Sequence, residues 1–141
     1  MFYDWQITVM GDLMTQITTT KTILFIDDDE MSRWLVQLCL ENFVDWQINV
    51  AISGNQGLTA IAEAKPDVIL LDFMMPDMDG FMFMKKLKED DPLAHIPIVA
   101  LTASTNRFSH QTFIDLGCQG VINKPFNPST LGSHISKILG W

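Results

Sequence analysis

From residue 22 onward, short uninterrupted apolar runs alternate with segments whose apolar positions recur at helical spacing. The run at 22–26, TILFI, stops abruptly at acids. A strand with no polar face is buried on both sides, as in a parallel sheet. Residues 30–43 carry Met31, Trp34, Leu35, Leu38 and Leu40 at near-helical spacing and predict a helix. The alternation continues with a strand at 46–51, a helix at 54–64 with Leu58 and Ile61 on one face, and a strand at 67–71 after the breaker Lys65-Pro66. The turn Pro76-Asp77-Met78-Asp79-Gly80 leads into a helix at 81–89. A strand at 96–101, a helix ending near Leu116, a short strand at 120–123 and a last helix at 129–139 complete the pattern. Five strand–helix repeats predict an open, doubly wound α/β domain over 22–141.

Residues 1–21 stand outside this pattern and end in a Thr-rich run typical of a connector. Within them, Asp4-Trp5-Gln6-Ile7-Thr8-Val9 nearly repeats Asp45-Trp46-Gln47-Ile48-Asn49-Val50. The extension is expected to be a flexible lead-in or an extra strand at a sheet edge.

In an open α/β sheet, ligands bind beyond the carboxyl ends of the strands, where strand order reverses. The reactive side chains fall there. Asp27 and Asp28 follow the first strand, Asp72 the third, Thr102 the fourth and Lys124 the fifth. Each has an ordinary explanation alone: a helix cap, a turn former, a strand-end hydroxyl, a solvated lysine. Together they would form a single site. Three carboxylates on one rim, at ~5 Å and an effective dielectric of ~20, repel by roughly 3 kcal/mol per pair. That repulsion calls for a cation, and an all-oxygen site open to phosphate suits Mg²⁺. A carboxylate so placed can attack phosphorus and form an acyl phosphate, with catalysis mainly by positioning and charge stabilisation.

Four segments, ILFI-Asp27-Asp28-Asp29-Glu30, DVILL-Asp72-FMM-Pro76-DMD-Gly80, IVAL-Thr102-Ala103 and Asn123-Lys124-Pro125-Phe126, resemble in order and spacing the receiver domain of two-component response regulators. The resemblance covers about residues 22–139, most like a stand-alone, chemotaxis-type regulator. It implies a flavodoxin-like (βα)5 fold with parallel strand order 2-1-3-4-5. It implies Asp72 as phosphoacceptor, with Mg²⁺ held by Asp27, Asp28, Asp72 and the main-chain carbonyl of Met74. Thr102 and Lys124 would contact the phosphoryl group, and the Lys124-Pro125 bond is often cis in the family. The implied donor is a sensor histidine kinase or histidine phosphotransfer protein, and the response passes to a downstream protein. The output face is the last two helices and the strand between them, through which a homodimer could also form. Such a domain is no enzyme beyond its own phosphorylation and dephosphorylation.

Two departures from the family matter. Val121 stands where an aromatic residue usually lies, three before the lysine. Met74 and Ser104 offer no carboxylate or amide to orient an attacking water, which predicts a phosphorylated state that is not unusually short-lived. Two other readings stay open. Asp27-x-Asp29 with a later Thr and Lys also suits a haloacid-dehalogenase-type phosphatase, although Asp72 and the Pro76–Gly80 turn are then unexplained. A receiver-shaped interaction module that is never phosphorylated is the other.

Composition narrows the partners. The formal charge of −8 over 141 residues argues against direct nucleic-acid binding. No apolar stretch suits a membrane span and no signal-peptide pattern opens the chain, so a cytoplasmic protein is expected. Cys39 and Cys118 lack metal-ligand spacing and read as buried free thiols. His95, His110 and His134 are scattered and read as surface residues, and the Met-rich stretch over 74–84 as adaptable packing.

Overall fold

The computed structural model describes residues 20–103 and 108–141. The near-repeat at 4–9 and Ser104 lie outside the described residues. Five strands form a parallel sheet: β1 (Thr22–Ile26), β2 (Gln47–Ala51), β3 (Val68–Leu71), β4 (Ile98–Thr102) and β5 (Gly120–Asn123). Their order, β2-β1-β3-β4-β5, is the one the resemblance implied. The connecting helices are α1 (Glu30–Phe43), α2 (Gly54–Glu63), α3 (Gly80–Lys88), α4 (His110–Asp115) and α5 (Leu131–Leu139).

Alternate strand residues feed two apolar layers. Leu24, Ile26, Ile69, Leu71 and Ala100 join Ile61, Phe83, Leu87 and Phe113 of α2, α3 and α4. Ile23, Phe25, Leu70, Val99 and Leu101 join Val36, Leu40, Leu131 and Ile135 of α1 and α5. Continuous burial of β1, β3 and β4 explains their unbroken apolar sequence.

Helix starts are set by side chains. Asp29, Ser53, Asp79 and Ser109 each accept from an amide three residues on, which fixes where α1, α2, α3 and α4 begin. Asp79 therefore admits Gly80 to α3, one residue earlier than expected. β4 begins at Ile98, later than expected, because Pro97 has no amide to give a ladder, though its carbonyl accepts from Ile69 N at 2.9 Å. Its far end takes in Thr102, so that residue closes the strand rather than following it.

The apolar spacing in α1 serves two faces, not one. Val36, Cys39 and Leu40 are buried, whereas Met31, Trp34 and Leu38 lie on the outside, with Met31 67% and Trp34 59% exposed. Lys21 belongs to the sheet's margin: its carbonyl accepts from Gln47 N, and its ammonium lies over Trp141, which packs edge-on against Trp46. Cys39 and Cys118 are buried free thiols, and burial pushes the Cys118 thiol up to about 11.

Candidate functional site

Three main-chain hydrogen bonds carry the ladder one step past the strand ends. Asp27 N donates to Ala51 O, Asp72 N to Ile26 O and Lys124 N to Thr102 O, at 3.0–3.1 Å. The residues that follow β1, β3 and β5 are therefore held in register on one rim, as their positions in sequence predict.

On that rim Asp27, Asp28 and Asp72 each offer a carboxylate oxygen within 4.8 Å of the others. Asp27 is fully buried, Asp72 nearly so and Asp28 exposed. Lys124 Nζ donates to Asp27 Oδ2 and lies 3.8 Å from Asp72 Oδ2 and 3.4 Å from Ser32 Oγ. Part of the repulsion among the acids is thus relieved by the lysine itself. Asp72 is still strained electrostatically: burial, then the Asp27 charge, push its carboxyl up to about 6, with Lys124 and the Met74 amide opposing. An all-oxygen cluster with one solvent-facing carboxylate fits a hard divalent cation such as Mg²⁺.

Thr102 is fully buried at the end of β4, next to β3. Met74 reaches the site through its amide, which donates to Asp72 Oδ1 at 3.1 Å. Its side chain is half exposed. The Lys124-Pro125 peptide bond is cis. Val121 is buried in the apolar layer beneath α2–α4.

Two participants escape sequence reasoning. Arg33 Nη1 donates to the Asp27 carbonyl at 2.8 Å and braces the end of β1. Ser32 donates to Asp29 Oδ2 at 2.8 Å, and its hydroxyl and amide hold the Asp29 carboxyl below its ordinary value. The spacing Asp29-x-x-Ser32 signals a capped helix start. That Ser32 also faces Lys124, from the far end of the chain, emerges only on folding.

Comparison with known proteins gives this rim its context. The family model for the response regulator receiver domain matches residues 23–136. The chain belongs to the receiver family. Among curated receivers it is 33% identical over 119 residues to the phosphate regulon transcriptional regulatory protein PhoB of Pseudomonas aeruginosa, covering 84% of this chain and 52% of the relative. It is 34% identical over 116 residues to the response regulator PleD of Caulobacter vibrioides, covering 82% and 25%. The chain thus spans about half or less of the length of these curated relatives. Against solved receivers, the chemotaxis response regulator CheY4 of Vibrio cholerae aligns with a TM-score of 0.76 at 31% identity, over 85% of this chain and 99% of that one. Receiver domains are signalling modules rather than enzymes in the ordinary sense, so membership sets aside the phosphatase-type reading.

Proposed function

We propose that this receiver accepts a phosphoryl group on Asp72 and signals through protein–protein contacts. The observation that carries the reading is the convergence of Asp27, Asp28, Asp72 and Lys124 on one rim. Asp72 Oδ attacks phosphorus, an O–P bond forms, and the P–N bond to a donor histidine breaks as that nitrogen takes a proton. Asp27, Asp28, Asp72 and the Met74 carbonyl would hold Mg²⁺. When bound, the ion neutralises charge on the carboxylates and the transferring phosphoryl oxygens. Lys124 shifts from its pairing with Asp27 toward a phosphoryl oxygen, and the Thr102 hydroxyl contacts another.

The donor is a phosphohistidine on a sensor kinase or phosphotransfer protein, within the cytoplasm. The exposed Met31, Trp34 and Leu38 share α1 with Ser32 beside the site, which supports α1 as the face a donor meets. Output passes through α4, β5 and α5, to a downstream protein or a second copy. Among the described residues no helix is long and apolar enough to cross a membrane.

The reading is tested by acid-labile phosphate uptake from acetyl phosphate. Wild type with Mg²⁺ should be labelled, and both chelation and Asp72→Asn should abolish labelling. No uptake by the folded wild type would favour the unphosphorylated interaction module. Trp34→Ala should slow transfer from a protein donor and leave acetyl phosphate uptake unchanged.

A further inference from the structure

We propose that the ring pair Phe73–Phe113 relays the state of Asp72 to α4 in this chain, where valine stands at position 121 in place of the family's usual aromatic residue. The inference rests on Asp72 being the phosphoacceptor. Phe73 follows Asp72 directly, is fully buried, and meets the Phe113 ring edge-on at a centroid distance of 4.9 Å. Phe73 is held firmly at its own end. Gly80 N donates to its carbonyl, and a Cβ at Gly80 would lie 2.5 Å from the ring and 2.8 Å from the Phe73 Cα. A backbone shift at 72–73 therefore moves the ring rather than dissipating in slack packing.

At the other end, α4 spans six residues, and Phe113 is the only buried one among them. Where that ring goes, the helix follows. Phe81 flanks both rings, 5.0 Å from Phe73 and 6.4 Å from Phe113. A cavity of about 380 Å³ lined by Phe73, Met74, Met75, Asp79, Phe81 and Phe108 leaves space beside them for reorientation. From α4 the path returns to the site: His110 Nε2 lies 3.1 Å from Asn123 Oδ1, one residue before Lys124. Val121 shares the same apolar layer but is small and aliphatic, with no ring to swing and no hydroxyl to exchange partners.

The test uses the full chain with beryllofluoride and Mg²⁺ as the phosphoryl mimic. It reads backbone amide shifts of α4 and β5, with acetyl phosphate uptake measured in parallel. Wild type should show shifts across α4 and β5. Phe113→Leu should retain uptake within about twofold, while its α4 and β5 shifts shrink about threefold or more, a modest loss for a coupling residue. Phe113→Met serves the same test if the leucine variant does not fold. Val121→Ala should keep the wild-type response. Full α4 shifts in the Phe113 variant, or their loss in Val121→Ala alone, would overturn the relay while leaving Asp72 in place. Absence of uptake by the wild type would instead remove the phosphoacceptor reading, and the relay with it.

Discussion

At the scale of residues, the site is an electrostatic conflict held in place by backbone. Asp72 is pushed to about 6 by burial and by Asp27, from an ordinary value of 3.8. The folded chain therefore binds more protons than the unfolded chain between these values. The stability this group contributes is fully present below about pH 4 and is lost as pH rises through about 6, by about 2–3 kcal/mol. Denaturant melts in chelator should then show wild type falling behind Asp72→Asn across that window. Equal pH profiles for the two proteins would contradict the account. Magnesium should restore stability at neutral pH by binding the native state alone. Asp28→Ala should abolish that gain, read as a shift of melting temperature with added Mg²⁺; an undiminished shift would remove Asp28 from the metal site. Because Met74 presents an aliphatic side chain rather than an acid or amide, phosphoryl loss from the isolated domain should not be unusually fast. A half-life at the short extreme of receivers would count against this.

At the scale of elements, the boundaries follow caps more than propensity. Asp79 starts α3 one residue early and brings Gly80 against Phe73. A Cβ there meets backbone as well as ring, so the contact cannot be relieved by a rotamer change. Gly80→Ala is expected to cost about 1–3 kcal/mol in denaturant unfolding; an unchanged midpoint would contradict the packing. β1, β3 and β4 were legible because burial on both faces leaves an apolar run that ends at a reactive side chain, whereas the strand order was implied by the family resemblance rather than by the runs themselves. The two faces of α1 were not. Met31, Trp34 and Leu38 obey the same spacing as a core stripe, and only packing decides which stripe turns inward. Ser32, Arg33 and the Phe73–Phe113 contact were hidden for a related reason. Ser32 and the ring contact join segments distant in sequence through side chains with ordinary local explanations, and Arg33 reaches a main-chain carbonyl six residues back that no spacing rule singles out.

At the scale of the whole molecule, a sheet buried on both faces gives a rigid frame with its chemistry at one end. α1 presents Trp34 and Met31 beside that end, α5 packs beside α1 on the same face of the sheet, and α4 covers the opposite face. Under the proposed function, a change of charge at Asp72 can bias the surfaces on both faces of the sheet. The −8 formal charge disfavours direct contact of this domain's surface with nucleic acid.

The central claim is that the phosphoryl group resides on Asp72. It is tested most directly by treating the acetyl phosphate-labelled chain with borohydride, which reduces an aspartyl phosphate to homoserine, and locating that residue by peptide mass spectrometry. Homoserine at position 72, absent without Mg²⁺, is the predicted result; homoserine at 27, 28 or 79, or nowhere in a labelled chain, would contradict it.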